Sequence, residues 1–351
     1  MADRLAALLS RFAMDGPAGP AGPLGEGHIH DTLLVRSPEG APRYVLQRVN
    51  AQVFPDPVTL CAHVAAVLAH LHRKGETALQ LIPALDGAPC VEDAGGCWRL
   101  FNFVADAAPP HPASGPAPVR EASRAFGRFL DLMADYPAAG CYLPLPGFHD
   151  IGLRYRQFDA ALEAAGPDRI RQAAGAVRLA EQMRSLCAAI PGDLAAGRLP
   201  LRITHNDTKI NNVMLDARSG QARCVLDLDT VMPGSALYDF GDLIRTCVSP
   251  AAEDERDLSR IRIREEMAEA VASGFLEGSA GMLTPAERSR LHEGARLMML
   301  IMGVRFLTDF LRGDVYYKTH YPGQNLDRAQ NQLHLLQLWL NEEPRMQQYW
   351  A

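Results

Sequence analysis

A proline-rich segment in the first third of the chain divides it into two parts of different character. Residues 107–118 read AAPPHPASGPAP, a composition typical of extended linkers. Short β-prone runs precede this segment, and longer stretches with apolar residues at helical spacing follow it. This order predicts an α+β fold with a small β-rich N-terminal lobe (residues 1–104) and a larger, mostly helical C-terminal lobe (residues 105–351), whose first residues, 105–118, form the linker.

The N-terminal lobe contains one hairpin pattern and one helix pattern. Residues 29–35 and 43–49 are β-prone, and the turn-forming sequence Ser-Pro-Glu-Gly at residues 37–40 separates them, which predicts an antiparallel pair. A helix is predicted over residues 56–71, because Pro57 stands at a first helical position, where its missing N–H is not needed. Further strands are predicted at residues 79–83 and 98–104.

The C-terminal lobe contains several stretches whose apolar residues recur at helical spacing, and these are predicted to be helices. They are residues 119–134, 154–165, 169–190, 285–311 and 326–340. Between the third and fourth stretches lies a β-rich segment, residues 203–230, in which two short strands flank a polar motif. The sequence shows no internal repeat.

Composition and charge exclude several classes of function. The formal net charge of the 351 residues is -6, so nothing indicates a nucleic acid or an anionic membrane surface as partner. No apolar run approaches the length of a membrane span, and we expect a cytoplasmic protein that is a monomer or a weak homodimer. The seven cysteines include no CxxC pair and are expected to be reduced thiols in the core.

The chemistry is concentrated in the polar motif. The run from His205 to Asn212 has the pattern H-x-D-x-x-x-x-N, and the strand-like sequence Val-Leu-Asp-Leu-Asp follows it. Asp207 can accept the proton of an attacking hydroxyl, and Lys209 can reach the γ-phosphate of ATP and offset the charge that develops there. Asn212 and Asp227 offer the oxygen ligands that Mg²⁺ prefers, and His205 is expected to support the loop through hydrogen bonds. The motif therefore predicts phosphoryl transfer that depends on ATP and Mg²⁺.

Nine stretches of the chain resemble one known family. They are residues 27–32, 45–50, 148–150, 205–216, 224–234, 237–242, 305–314, 316–318 and 325–328. These stretches are similar to the aminoglycoside phosphotransferase and choline kinase superfamily and, within it, to the N-acetylhexosamine 1-kinases. The resemblance spans nearly the whole chain, strongly in the C-terminal lobe and loosely in the first hundred residues. It implies a bilobal protein-kinase-like fold, a small-molecule kinase activity, and a structural role for Asp239 in holding the catalytic loop.

The residues expected to bind the nucleotide depart from the protein-kinase pattern. The hairpin strand has Gln47 and Arg48 but no lysine, and residues 56–71 contain no glutamate, so the usual lysine–glutamate ion pair cannot form in the usual way. Because side chains alternate along a strand, only one of the two can face the nucleotide. We favour Arg48, whose planar guanidinium suits phosphate, although the family pattern would align Gln47 there.

Two further segments are candidates for nucleotide contacts. The loop at residues 24–31 contains only part of a GxGxxG pattern and fits a plain turn equally well. Its candidate nucleotide contacts are Gly25, Gly27 and His28. Residues 100–104, where the last strand gives way to the linker, are the candidate hinge over the adenine, with Phe101 and Phe103 as the contacts.

Three classes of acceptor are possible within the superfamily. Choline requires an aromatic cage, but aromatic residues make up only 7% of the chain and form no dense cluster. Aminoglycosides require many carboxylates, and the acidic residues that follow Asp242 alternate with arginines, which is more typical of a solvated helix face. These acidic residues are Glu253, Asp254, Glu255, Asp257, Glu265 and Glu266.

A neutral sugar requires a few directed polar groups and an apolar wall. The candidate contacts for such a small-molecule sugar substrate are His30, Asp150, Arg305, Asp309 and Tyr316. Arg305 and Asp309 could instead form an ion pair along a helix, and Asp150 could be a helix N-cap. The resemblance implies that the acceptor is N-acetylglucosamine or N-acetylgalactosamine, phosphorylated at its anomeric hydroxyl. The alternatives are another small hydroxyl acceptor, or a catalytically weak kinase-like binding protein.

Overall fold

The computed structural model describes residues 2–24, 29–111, 115–186 and 189–350, and the chain divides into two compact units. The first unit comprises Met1–Ala108, Ala139–Leu145 and Met214–Val231, and the second comprises Pro109–Ala138, Pro146–Val213 and Met232–Ala351. Both units are discontinuous in sequence, whereas the sequence predicted a single boundary after residue 104. The first unit is built around an antiparallel sheet and the second is mostly helical, which confirms the predicted α+β class.

Strands are concentrated in the early part of the chain and helices in the later part. The strands are β1 (Ala21–Pro23), β2 (Asp31–Arg36), β3 (Pro42–Arg48), β4 (Leu81–Ile82), β5 (Val91–Asp93), β6 (Gly96–Asn102), β7 (Ala107–Ala108), β8 (Arg202–Thr204), β9 (Val213–Asp216), β10 (Ala222–Val225) and β11 (Met232–Gly234). The helices are α1 (Ala2–Leu9), α2 (Pro57–Arg73), α3 (Pro116–Leu132), α4 (Ile151–Ala164), α5 (Pro167–Gln182), α6 (Ala189–Ala195), α7 (Ala236–Cys247), α8 (Glu265–Gly278), α9 (Pro285–Ser289), α10 (Leu291–Arg312) and α11 (Gln324–Met346).

The main sheet of the first unit runs in the order β1-β2-β3-β6-β4, with β5 paired to β6. The predicted hairpin is confirmed as β2 and β3, in which Leu33 lies opposite Leu46. Leu46 and Leu100 are fully buried on the face that packs with α1. Because side chains alternate along each strand, Gln47 and Arg99 lie on the other face, where they are register partners on β3 and β6. The sheet thus places a polar pair opposite its apolar face.

Helix α2 begins where the sequence predicted. The carboxylate of Asp56 accepts a hydrogen bond of 3.0 Å from the backbone N–H of Thr59, and Pro57 is the first helical residue. The helix buries Leu60 and Cys61 and is followed by Gly75, whose φ of 95° favours glycine. Local capping signals were therefore sufficient to locate this helix.

Helix α10 is the centre of the second unit. It is buried along most of its length and packs against α4, α5, α7 and α11, while α3 packs along α8. The approach of α7 to α10 is close because both helices carry glycine at the crossing. A Cβ atom added to Gly241 would lie 2.1 Å from the carbonyl oxygen of Gly294, which is well inside contact distance.

Two predicted helices are interrupted in the structure. The prediction for residues 169–190 becomes α5 and, after two residues outside the described ranges, α6. The prediction for residues 285–311 becomes α9 and α10, divided at Arg290. Helix α9 has its own capping box from Thr284 and Glu287, and the fully buried Glu287 accepts hydrogen bonds from Arg202. The local capping box and the long-range contact with Arg202 together hold α9 as a separate helical turn.

Across the described ranges, no helix combines the length and the apolar content needed to cross a membrane.

We expect Gly241→Ala to lower the free energy of unfolding by roughly 1–3 kcal/mol or more, because the added methyl group forces α7 and α10 apart. The matched control is Gly175→Ala on the exposed face of α5, where nothing lies within 4 Å of the new methyl group. That control should raise stability by about 0.5–1 kcal/mol, since alanine is the better helix former. Urea unfolding of both variants checks this; equal effects would show that the crossing tolerates a side chain.

Candidate active site

A buried carboxylate in the second unit holds the motif loop. Strands β8 and β11 pair at Thr204 and Met232, and the loop leaves β8 immediately afterwards. The carboxylate of Asp239, at the start of α7, accepts the backbone N–H groups of His205 at 2.9 Å and Asn206 at 2.7 Å. Burial raises the pKa of Asp239 to about 6, although these hydrogen bonds and the His205 side chain act in the opposite direction. Asp239 therefore has the loop-holding role that the resemblance implied.

The loop has a strained backbone at one residue. Asn206 has a φ of 65°, in the left-handed region that asparagine tolerates better than most residues. Its side-chain amide donates to the carbonyl oxygens of Thr204 and Met232, which fixes this conformation. The turn sets the direction of the next residue, Asp207.

Asp207 lies beside the two residues that the sequence grouped with it. The ammonium of Lys209 is 3.5 Å from a carboxylate oxygen of Asp207, and the amide of Asn212 donates to the backbone oxygen of Asp207 at 3.0 Å. Burial alone would raise the pKa of the Asp207 carboxyl, but Lys209 and His205 outweigh it, and the pKa is lowered. Asp207 is thus an ionised acceptor near neutral pH, and the same pairing raises the pKa of Lys209 and keeps it charged.

His205 supports the loop from below. Its ring is fully buried, at 5.1 Å from the ring of Phe126 and 5.5 Å from that of Phe129. Its Nδ1 accepts the backbone N–H of Asp207 at 3.3 Å. A residue enclosed in this way can position Asp207 through that hydrogen bond.

An ion-pair group near Lys209 departs from the sequence prediction. Arg245, buried in α7, donates to Asp242 at 2.8 Å and to Glu253 at 2.7 Å. The sequence predicted that Glu253 lies on a solvated helix face; this was wrong, because residues 250–257 form no helix and Arg245 draws Glu253 inwards. Arg245, Asp242 and Glu253 all contribute to the electrostatic environment of Lys209.

An arginine surrounded by aromatic rings lies in the same unit. The guanidinium carbon of Arg305 is 4.9 Å from the ring centre of Phe148, 5.8 Å from that of Tyr316 and 5.5 Å from that of Tyr317. Its only hydrogen bond recorded among the described residues is to the sulfur of Met302. Burial and then Arg305 lower the pKa of the nearby Arg154 to about 10, so two guanidinium groups lie close enough here to repel each other.

Two buried polar atoms beside Arg305 have no hydrogen-bond partner within the described ranges. They are Nδ1 of His149 and the hydroxyl oxygen of Tyr317. The other ring nitrogen of His149 donates to the backbone oxygen of Asn206 at 3.0 Å, which connects this histidine to the motif loop. Buried polar atoms are rarely left without a partner unless a ligand, ion or water provides one.

Asp150 and Asp309, predicted as sugar contacts, have structural partners. Asp150 caps α4 by accepting the backbone N–H of Leu153 at 3.0 Å, so the N-cap alternative is confirmed, and its side chain is 44% exposed. Asp309 accepts three successive backbone N–H groups, from residues 315–317, and the side-chain amide of Asn325. It thereby anchors the loop that carries Tyr316, and its recorded partners do not include Arg305.

The first unit contains a buried polar network that the sequence analysis did not predict, although it named two of the members, His30 as a sugar contact and Gln47 on the hairpin strand. Asp229 pairs with Arg99, whose Nη2 is 2.7 Å from one carboxylate oxygen, and accepts a 2.6 Å hydrogen bond from Nε2 of His30. Arg99 also donates to the side-chain oxygen of Gln47 at 2.9 Å. Burial alone would raise the pKa of Asp229, but Arg99 and His30 hold it well below its usual range. The only feature of the sequence that could have indicated this network is the alternation of side chains along β6, which places Arg99 on the face opposite Leu100.

The candidate nucleotide residues of the first unit have different surroundings. Arg48 is half-exposed and pairs with Asp31, whereas Gln47 lies on the face that carries Arg99. The ring of Phe101 is 5.2 Å from the Arg99 guanidinium, and the backbone N–H of Phe103 donates to the backbone oxygen of Arg43. Three candidates lie outside the described residues: Gly25, Gly27 and His28.

The two candidate metal ligands have donors of the type that Mg²⁺ prefers. In the second unit, the amide nitrogen of Asn212 is used by Asp207, and those bonds leave the amide oxygen for a cation. In the first unit, Asp227 is exposed and has a φ of 56°, a left-handed conformation that for a non-glycine residue is often associated with function. Each residue separately fits an oxygen-ligated cation.

Comparison with known proteins agrees with this chemistry. A sequence model described as "Phosphotransferase enzyme family" matches residues 21–275. Similar solved structures include an aminoglycoside phosphotransferase from Alicyclobacillus acidocaldarius, with 14% identity, a TM-score of 0.61, and coverage of 97% of this chain and 96% of that one.

Two other solved structures extend the similarity over almost the full length. A microcompartment-associated aminopropanol kinase has 17% identity and a TM-score of 0.61, and the match covers 99% of this chain and 98% of that one. A choline/ethanolamine kinase family protein from Mesorhizobium loti has 19% identity and a TM-score of 0.55, with the same coverage. These matches confirm the predicted protein-kinase-like fold.

The buried His149 should make stability depend on pH. Burial lowers its pKa from 6.5 to about 3, so below about pH 6.5 the unfolded chain binds a proton that the folded chain does not. Stability is therefore lost as the pH falls, by about 1 kcal/mol between pH 7.5 and 5.5 from this group alone. Urea unfolding at both pH values should show that His149→Gln loses less stability than the wild type. Parallel losses would mean that His149 takes up a proton in the folded state.

Proposed function

Because the chain belongs to the phosphotransferase enzyme family, we propose that it transfers the γ-phosphoryl group of ATP to the anomeric hydroxyl of an N-acetylhexosamine. The enzyme is an ATP-dependent phosphotransferase of the aminoglycoside phosphotransferase and choline kinase type, and it acts on a small hydroxyl-bearing molecule. The proposal concerns the identity of that molecule, N-acetylglucosamine or N-acetylgalactosamine, and the roles of the site residues.

The motif loop would provide the base and the phosphate contact. Asp207, ionised and held in place by His205, accepts the proton of the sugar hydroxyl and orients it for in-line attack. Lys209 contacts the transferring phosphoryl group and offsets the charge that develops on it. A magnesium ion bound by Asn212 and Asp227 would neutralise the phosphate oxygens of the nucleotide.

The assignment of the acceptor rests on the aromatic rings around Arg305. Rings around a cation are what choline recognition requires, but here Phe148, Tyr316 and Tyr317 enclose a guanidinium of the protein itself. Together with the nearby Arg154, this charge repels a cationic acceptor such as choline or an aminoglycoside. A neutral sugar is not repelled.

The unpartnered atoms near Arg305 support the same assignment. An N-acetylhexosamine presents hydroxyl groups and an amide, which can bond Nδ1 of His149 and the hydroxyl of Tyr317. The aromatic rings provide the apolar wall against which the carbon face of a sugar packs. A site of few directed polar groups and an apolar wall is typical for a neutral small molecule.

A substrate panel tests the proposal directly. Purified protein with Mg-ATP should release ADP with N-acetylglucosamine or N-acetylgalactosamine, and product analysis should locate the phosphate at C1.

Asp207→Asn should lower turnover by about 10²–10⁴-fold while nucleotide binding persists, because it removes the acceptor for the proton. Asp168→Asn, at an exposed position on α5, is the matched control and should leave turnover unchanged. Turnover of choline or an aminoglycoside in place of the sugars would overturn the acceptor assignment, and full activity of Asp207→Asn would overturn the mechanism.

Tyr317→Phe separates substrate binding from folding. Because the Tyr317 hydroxyl has no partner among the described residues, its removal should leave stability unchanged or slightly higher while the KM for the sugar rises. Tyr155→Phe is the matched control, since that hydroxyl donates to the backbone oxygen of Ala180 at 2.7 Å. The control should lose about 1 kcal/mol of stability with no change in KM. An unchanged sugar KM in Tyr317→Phe would exclude this hydroxyl from the acceptor site.

A further inference from the structure

Three cysteines that are distant in sequence converge in the interior of the first unit. Cys61 lies on α2, Cys90 precedes β5, and Cys97 lies on β6. The three side chains are 0%, 7% and 3% exposed, respectively. The sulfur atoms of Cys61 and Cys97 are 4.0 Å apart, and all three sulfur atoms lie within 4.8 Å of one another. We refer to Cys61, Cys90 and Cys97 as the thiol cluster.

The spacing of the thiol cluster matches a metal–sulfur triangle. With metal–sulfur bonds of about 2.3 Å, three sulfur atoms around one ion in a plane lie about 4.0 Å apart. The cysteines come from a helix, a strand and the segment before a strand, so they are held by three separate parts of the fold. Only small side-chain movements would be needed to complete the triangle.

The surroundings of the thiol cluster are apolar on most sides and positive on one. Val49, Phe54 and Leu60 are buried in the same core cluster. Arg99 follows Cys97 on the same face of β6 and brings one positive charge close to the thiol cluster. A cation bound here would be enclosed by apolar side chains and would displace the thiol protons.

We propose that the thiol cluster is a binding site for one soft, thiophilic metal ion of low coordination number, Cu(I). Thiolate ligands select soft ions, whereas Mg²⁺ prefers oxygen and is not bound here. A structural zinc ion is almost always four-coordinate, and the group of metal-ligating side chains found in the described ranges contains these three cysteines and no fourth donor. Binding releases thiol protons to solvent and transfers no electron, so the oxidation states of copper and sulfur are unchanged.

A competition titration tests the proposal on the full chain. Reduced protein, titrated without oxygen against a coloured Cu(I)-selective chelator, should retain one Cu(I) per chain and release protons as it does so. Cys97→Ala and Cys90→Ala should each weaken retention by more than about 100-fold, the upper range seen when only the outer contacts of a metal site are changed. Cys224→Ala, whose thiol lies outside the thiol cluster, is the matched control and should bind as the wild type does.

A second measurement requires no variant. X-ray absorption of the copper-loaded wild-type chain should show about three sulfur ligands at roughly 2.3 Å and no nitrogen or oxygen. Failure of the wild type to retain Cu(I), or equal retention by Cys97→Ala, would overturn the proposal. Tighter retention of Zn²⁺ than of Cu(I) would overturn the assignment of a three-coordinate ion. None of these readouts depends on kinase activity.

Discussion

The catalytic loop depends on one buried carboxylate, that of Asp239. It accepts two successive backbone N–H groups of the loop, and its own backbone oxygen accepts the hydroxyl of Thr208. Keeping this carboxylate ionised in the folded chain costs on the order of 3 kcal/mol even with those bonds, the free energy equivalent of raising its pKa from 3.8 to about 6. The same bonds help to hold Asn206 in its left-handed conformation and so direct Asp207. The contact therefore lowers stability but fixes the position of Asp207, the proposed base.

A different electrostatic arrangement holds the sheet of the first unit. Protein kinases pair a strand lysine with a helix glutamate, but here the strand residue is Gln47 and the buried cation is Arg99 on the neighbouring strand. Arg99 pairs with Asp229, two residues beyond the candidate metal ligand Asp227. Removing one partner of such a pair leaves an uncompensated buried charge and costs about 3–5 kcal/mol. The pair thus fixes the strand to the segment that carries Asp227.

The sequence predicted what local patterns encode. The hairpin, the cap at Asp56 and the motif from His205 to Asn212 each lie within a few residues, so composition and spacing were sufficient to identify them. Local sequence patterns could not predict contacts between residues that are far apart in the sequence. Arg99 meets Asp229 across 130 positions.

The errors have the same origin. Glu253 was placed on a solvated helix face because the alternation of charges around it is typical of one, but residue 253 lies in no helix and pairs with Arg245 of α7. The thiol cluster was invisible for the same reason, since its members come from separate elements with no CxxC spacing. The alternative ion pair between Arg305 and Asp309 rested on helical spacing, whereas Asp309 accepts three backbone N–H groups from residues 315–317.

The position of Asp309 has a consequence for acceptor choice. Its carboxylate fixes three successive backbone N–H groups, and the rings of Tyr316 and Tyr317 are thereby set beside Arg305. The motif loop has separate anchors in Asp239 and His205. Under the proposed assignment of the acceptor site, changes in the loop at residues 313–317 alter which acceptor binds without moving Asp207, whereas changes in the motif loop affect every acceptor alike. Within a family whose members accept chemically different alcohols, this separation lets specificity vary while the phosphoryl-transfer chemistry is retained.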